Sequence, residues 1–473
     1  MTTTQLRSIA TTQRALDEGS ITTTQLVTRY LAAINEHSHL NVYVEVFAEE
    51  AMIEARRQDE ARARDAKLGK MAGVVMSIKD VICYAGHGVS AGSKILEGFT
   101  APYTATALQR LLDEDAIIIG RTNCDEFAMG SGNENSHYGP TRNAADVTRV
   151  PGGSSGGAAV SVQAGTCLIA MGSSTGGSVR QPASFTGLLG FKPTYGRISR
   201  HGLIAYGSSF DSIGYLARDA NDIALALEIS AGADTFDATA PNKILPAYGK
   251  QPVDTKPKSI AYFADLMESE AVEPAIRRAM QTTLDGFRAA GHELVPVTFS
   301  YFDYVVATYY VLTTAEASSN LSRFDGMRYG YRGEDAHDLT ETYTKSRTEG
   351  FGTEVQRRIL LGTFVLSSGY YDAYYGKAQK VRRLIRDQLR GILDTHDFIL
   401  MPVTPGQPWR IGEQTDDPVA NYLADIYTVL ANLAGLPAVA MPVASDNELP
   451  VGYQLMADQW EEGKLLSFVR GLA

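Results

Sequence analysis
The feature that most constrains this chain is the stretch from Gly152 to Pro182, GGSSGGAAVSVQAGTCLIAMGSSTGGSVRQP. Two glycine-serine clusters flank a short apolar run: Gly152-Gly153-Ser154-Ser155-Gly156-Gly157 before it, and Gly176-Gly177-Ser178 after it. Glycine costs backbone entropy, so such clusters belong where a chain bends sharply or turns its N–H groups toward a ligand. Ser154 and Ser178 stand beside those turns, 24 residues apart. Three readings meet here. A phosphate-cradling loop needs G-x-x-x-x-G-K-[ST], which is absent. A nucleophile elbow fits G-x-S-x-G at Gly152 to Gly156, but it needs a strand leading in, and Val150-Pro151 is a poor strand end. A surface loop, with a second glycine turn after a buried strand, stays open on these residues alone.

Lys79 sharpens the choice. The run Gly73-Val-Val-Met-Ser-Ile-Lys-Asp-Val-Ile reads as a mostly apolar strand with Lys79-Asp80 near its end. An ammonium is expensive to bury, so a lysine there is either exposed on an edge strand and paired with Asp80, or buried with its pKa pushed down. A neutral lysine is a base, and a serine hydroxyl is a weak nucleophile until a neighbour takes its proton. Lowering a lysine by roughly 3 units from about 10.4 costs about 4 kcal/mol, within reach of burial and nearby N–H dipoles. Histidine is the commoner base, but the eight histidines form no nucleophile-linked motif. His201, His292, His337 and His396 lie in polar or connecting sequence and are expected at the surface. No serine precedes a lysine by three residues, so S-x-x-K is absent.

Taken together, these residues resemble the amidase signature family, which uses a Ser–Ser–Lys triad with G-G-S-S-G-G followed by G-G-S-x-R-x-P. The chain reproduces that pattern from Gly152 through Pro182, with Lys79 in the matching S-I-K-D segment. The resemblance implies that Ser178 is the nucleophile, that Ser154 follows a cis peptide and relays the proton, and that Lys79 is the base. It gives the N–H groups of Thr175, Gly176, Gly177 and Ser178 to an oxyanion hole, where one donor is worth about 10²–10³ in rate. Within the family the resemblance runs to the glutamine-hydrolysing subunits of tRNA-dependent amidotransferases, over nearly the whole chain. It rests on GRTNCDEFAMGS from Gly120, EASSNLSRFDG from Glu316, RRILLGTF from Arg357, SSGYYDAYY from Ser367 and NLAGLPA from Asn432. It implies that Arg358 grips the α-carboxylate of glutamine, Asp425 its α-ammonium, and Tyr309 lines the pocket. On spacing alone, Arg357-Arg358 reads as a solvated helix face, Asp425 as an ordinary helix acid and Tyr309 as a core aromatic.

The chain departs from the family in three places. Ser174, four residues before Ser178, stands where an acid is usual. Ala144-Ala145 stand where Pro-Trp is usual, and Ala158-Ala159 are an ordinary small-residue choice. The first departure keeps a scaffold with a weakened site as an alternative, beside a stand-alone amidase of broader specificity. The implied partners are a tRNA-binding B subunit, which uses ATP and magnesium, and a small C subunit that clamps the assembly. The implied product is amidated Glu-tRNA(Gln), Asp-tRNA(Asn) or both. No metal or organic cofactor is implied for this chain.

The formal charge of −11 argues against this chain holding tRNA alone, because phosphate contacts dominate such binding. The basic turns at 377–390 read as a solvated helix face. Three scattered cysteines suit a reducing compartment, with Cys124 and Cys167 expected as buried small hydrophobes. The N-terminus has acids and no apolar stretch, which excludes a signal peptide, and no run reaches ~18 apolar residues; a cytoplasmic protein is expected. Helices are expected at 22–36, capped by Ser20, and at 46–66, 219–231, 302–320 and 354–395. Strands are expected at 73–78, 115–119, 259–263, 293–299, 397–403, 437–443 and 451–456. That alternation predicts an α/β fold, a mixed and largely parallel twisted sheet sandwiched between helices. By resemblance it forms one domain over 1–473, with a helical segment (1–70), a catalytic core (71–232) and a part carrying the glutamine pocket (233–473).

Overall fold
The computed structural model describes residues 6–413, 422–443 and 449–472. One sheet of eleven strands runs through all three segments. The strands are β1 (Tyr43–Val46), β2 (Val75–Lys79), β3 (Ile117–Thr122), β4 (Ile169–Ser174), β5 (Leu189–Lys192) and β6 (Ser212–Ala217). They continue with β7 (Ser259–Phe263), β8 (Glu293–Val297), β9 (Phe398–Pro402), β10 (Ala438–Val443) and β11 (Val451–Met456). Their order is β1-β3-β2-β4-β6-β5-β10-β11-β9-β7-β8. Parallel pairing is confined to two blocks, β3-β2-β4 and β9-β7-β8. The middle is antiparallel, since β10 and β11 form a close-coupled pair and β5 runs against both β6 and β10. Parallel neighbours need a crossover of a dozen or more residues, and the helices between β2 and β3, β3 and β4, and β7 and β8 supply it within the two blocks.

Strands β2, β3, β4, β6, β9 and β11 are buried along their whole length, as strands covered by helices on both faces should be. The first parallel block positions the chemistry. Strands β3, β2 and β4 share one direction, so their C-terminal ends, Thr122, Lys79 and Ser174, open on one edge, where α/β sheets place ligands.

Several elements differ from expectation. The helix Thr23–Glu36 is capped by Thr22, which exchanges hydrogen bonds with Gln25; the Ser20 hydroxyl donates instead to the Ala15 carbonyl. The long helix expected at 354–395 is broken into Thr353–Leu366, a π turn at Asp372–Gly376 and Lys377–Leu393. The first piece ends at Ser367, whose backbone turns extended, and Gly369, at φ +89°, lies in the turn that follows. Helices Ile9–Asp17, Thr106–Leu112, Gly156–Gln163, Arg180–Thr186, Leu339–Gly350, Val429–Ala434 and Glu462–Arg470 and strands β1, β5 and β6 are among the elements that add to those expected. His292 is buried, not at the surface: its Nδ1 accepts from the Lys258 N–H and its ring packs edge-on against Phe287 and Phe468. All three cysteines are buried and free. Among the described residues, no helix is long and apolar enough to cross a membrane.

Candidate active site
Lys79 ends β2, a strand flanked on both sides by β3 and β4, and has no exposed surface. Its Nζ donates to Ser154 Oγ at 2.7 Å and to Ser155 Oγ at 3.0 Å. Among the described residues no carboxylate hydrogen-bonds to it, and burial pulls its pKa down to about 8, against Cys124, Asp125 and Asp211. Asp80, the partner an edge-strand lysine would use, turns away. It takes the Arg121 guanidinium, the Ser90 hydroxyl and the N–H groups of Ser90 and Gly92. A lysine held near neutrality beside a hydroxyl is equipped to accept that hydroxyl's proton.

The turn that presents Ser154 contains a cis peptide between Gly153 and Ser154 and runs into the buried helix Gly156–Gln163. It rests on the coil after β3, where Phe127, Ala128 and Asn133 all have positive φ. In that coil the Asp125 N–H donates to the Ser154 carbonyl at 3.3 Å, and its carboxylate accepts the N–H groups of Asn133 and Glu134. A Cβ at residue 153 would overlap Asp125 Oδ2, so the glycine there is a packing requirement. Asn133 Oδ1 accepts the Gly157 N–H at 3.0 Å. Ser178 reaches the same turn through its carbonyl, which accepts the Ser155 N–H at 3.2 Å.

The second glycine turn follows β4. Its Gly176 carbonyl accepts two hydrogen bonds, from Arg180 Nη2 at 2.7 Å and from the Ser174 hydroxyl at 2.9 Å. A trans peptide points its C=O and N–H in opposite directions, so holding that carbonyl aims the Gly177 N–H the other way. Among the described residues no hydrogen bond takes the N–H groups of Thr175, Gly176, Gly177 or Ser178. The Thr175 hydroxyl donates to Asp211 at 2.6 Å, tying the turn to the loop before β6. Ser174 thus braces the turn through its hydroxyl. Arg180 has no exposed surface and also donates to Thr428 O, Asn432 Oδ1 and Gln454 Oε1.

A cavity of about 360 Å³ opens beside this edge, lined by Asp125, Ser131, Gly352, Glu354, Arg358 and Tyr422 among others. Arg358 is 4 % exposed and donates through Nε to Glu354 at 2.8 Å and through Nη1 to the Tyr206 hydroxyl at 2.8 Å. The rings of Tyr206, Tyr310 and Tyr422 surround its guanidinium at 5.3–5.7 Å. Nothing among the described residues accepts from Nη2. Asp425 accepts from the Tyr310 hydroxyl at 2.9 Å, and burial raises its carboxyl to about 6, against Tyr310 and Arg358. Arg358 thus brings Nη2 to this cavity, and the buried Asp425 is linked to it through Tyr310, whose ring faces the guanidinium; a cation and a carboxylate are the pair that an amino-acid zwitterion needs.

Of the candidate residues named from the sequence, Arg358 lines this cavity, Lys79, Ser154 and Ser178 meet at the two glycine turns, and Asp425 lies against Gly177. Tyr309 packs behind the second glycine turn, its hydroxyl 2.8 Å from where a Cβ at Gly176 would stand. Its neighbour Tyr310 is the tyrosine bonded to Asp425. Tyr206, Tyr310, Tyr422 and Ser131 were not legible, because a tyrosine in a loop or an apolar helix and a serine in a glycine turn look like coil and core. Glu354 had a signal: an acid four residues before Arg358 on one helix is a spaced ion pair.

Residues 25–466 match the model of the amidase family. The chain belongs to that family. It is 50 % identical to the A subunit of glutamyl-tRNA(Gln) amidotransferase from Chlorobium luteolum over 453 residues, 95 % of this chain and 93 % of that protein. Among solved structures it resembles the A subunit of the same enzyme from Thermotoga maritima (TM-score 0.78, 37 % identity, 95 % of this chain and 91 % of that one). It also resembles the peptide amidase of Stenotrophomonas maltophilia (TM-score 0.83, 27 % identity, 98 % and 96 %).

Proposed function
We propose that the chain is the glutamine-hydrolysing subunit of a tRNA-dependent amidotransferase, acting through Ser178, Ser154 and Lys79. The observation that carries this reading is the fully buried Lys79, 2.7 Å from Ser154 Oγ, under a turn that also holds Ser178. Arg358 takes the α-carboxylate of glutamine and Asp425 its α-ammonium, with Tyr309 closing the pocket behind the glycine turn. Neutral Lys79 accepts the Ser154 proton as Ser154 accepts that of Ser178, and Ser178 Oγ bonds to the amide carbon. The N–H groups of Thr175, Gly176, Gly177 and Ser178 receive the oxyanion. The proton returns through Ser154 to the leaving nitrogen, the C–N bond breaks, and ammonia departs, leaving a glutamyl ester on Ser178. Water, deprotonated by the same relay, hydrolyses the ester to glutamate.

The relatives named as amidotransferase subunits support an assembled enzyme. So does the outer surface of the helix Thr353–Leu366. There Leu360 is 71 % exposed, and Phe364 packs against Tyr370 and Tyr374, all three exposed. Contiguous apolar patches of this kind mark protein contacts. On this reading a B subunit binds tRNA and uses ATP and magnesium, a C subunit clamps the assembly, and this chain, in the cytoplasm, needs no cofactor of its own.

The test is glutamine hydrolysis by the chain alone and with co-expressed B and C subunits, beside Ser178→Ala. Hydrolysis raised by the partners and lost in the variant is expected. Cleavage of other amides but not glutamine would identify a stand-alone amidase. No cleavage of any amide would identify a scaffold and point to Ser174.

A further inference from the structure
The helix that carries Arg358 has no cap of its own. Its N-cap position is Gly352, which has no side chain, and no side chain within the helix serves its first turn. The cap comes from across the cleft. Glu126, 3 % exposed, accepts the Gly352 N–H with both carboxylate oxygens, Oε1 at 3.1 Å and Oε2 at 2.9 Å. The Ser93 hydroxyl also hydrogen-bonds Glu126 Oε1 and lies 3.2 Å from the Gly350 carbonyl, so both sides of the chain entering the helix are held. The Glu126 N–H donates to Asn135 Oδ1 at 2.8 Å, anchoring Glu126 to the coil that supports the Ser154 turn. A Cβ at residue 352 would overlap Glu126 Oε2, so the helix start and the carboxylate are in full contact.

Two consecutive acids thus face opposite ways. Asp125 lies against Gly153 and the catalytic turn, and Glu126 lies against the start of the helix whose first turns carry Glu354 and Arg358. A carboxylate at a helix N-terminus meets unpaired N–H groups and the positive end of the helix dipole. Arg358 lies six residues beyond Gly352, about 9 Å along the axis, so displacement of the first turn carries the guanidinium with it.

Resting on the glutaminase reading, we propose that Glu126 is a positioning residue that caps this helix from the catalytic coil and sets the distance between the Arg358 guanidinium and Ser178. Its work is selectivity for amides bearing an α-carboxylate, and it touches no reacting atom.

The experiment measures kcat and KM for glutamine, for a short uncharged primary amide, and the acylation burst with p-nitrophenyl acetate. It uses the full chain with its co-expressed partners, as wild type, Glu126→Gln and Gly352→Ala. The second variant pushes on the same contact from the helix side. The expected result is a KM for glutamine raised tenfold or more in both variants, with kcat lowered less than threefold and the uncharged amide and ester burst nearly unaltered. Unchanged KM in both variants, from a wild type that prefers glutamine, overturns the inference alone. Parallel loss of glutamine, uncharged-amide and ester reactivity also overturns it, assigning Glu126 to general stability. A wild type with no preference for the carboxylate-bearing amide overturns the glutaminase reading and the inference with it.

Discussion
Two halves of one cleft are built on different plans. Lys79, Ser154, Ser178 and the glycine turn come from a single strand end and a single short stretch. They are buried, and are fixed by hydrogen bonds from backbone and from buried side chains such as Asn133, Ser174 and Arg180. The pocket around Arg358 is assembled from side chains of separate segments: Tyr206 before β6, Tyr310 in a long helix, Glu354 and Arg358 in another, and Tyr422 with Asp425 near the end of the chain. Its rim is open, with Arg357 beside it largely solvated. The difference teaches where each property resides. On the proposed function, reactivity is written locally and buried in the sheet, while recognition depends on helices that lie over the sheet.

The comparison breaks most sharply at Lys79. If Lys79 is the base, as proposed, Lys79→Met should lower kcat for glutamine about 10²–10⁴-fold while KM stays within a few-fold; steady-state kinetics check both. If KM moves as much as kcat, the two halves are not separable. Arg358→Ala should do the reverse. It deletes a charged fork from the pocket, a loss of roughly 1.5–3 kcal/mol, read as about 10–100-fold in KM with the p-nitrophenyl acetate burst retained.

A pH series separates the halves without mutation. On the proposed reading Lys79 acts as a base only when neutral, so kcat should climb as pH rises through about 8 and level off above it. Asp425 holds an ammonium only when ionised, so KM should rise as pH falls through about 6. Asp425→Asn should remove the KM limb and leave the kcat limb in place. The smallest effect belongs to Ser174→Ala. It takes one of two donors from the Gly176 carbonyl and, at about 1 kcal/mol for one hydrogen bond, should cost kcat about fivefold. A loss of 10³ would show that Arg180 cannot hold the turn alone.

The same division governs what the sequence disclosed. The glycine turns and Lys79 were legible because each needs particular residue types within a few positions, and the sheet could be read from apolar runs bounded by turns. The edge-or-centre question for Lys79 was not local. It is decided by β4, which arrives ninety residues later to cover the strand. Tyr206, Tyr310 and Tyr422 converge on Arg358 only after the helices pack, and an aromatic residue in an apolar helix carries no mark of which cation it will meet. The break in the expected helix at 354–395 was visible in Ser367-Ser368-Gly369, yet the flanking periodicity outweighed it. Glu126 escaped notice because its partner is the backbone of a glycine more than two hundred positions away.

Gly177 ties the two halves together. A Cβ there would stand 2.6 Å from Thr428 Oγ1 and 3.2 Å from Asp425 Oδ1, so the carboxylate of the pocket rests against the glycine turn that carries Ser178. On the proposed reading the cleft is a gauge of fixed length. With the amino-acid end gripped at Arg358 and Asp425, a side chain one methylene shorter than glutamine carries the right charges and the right amide, and stops short of the donors.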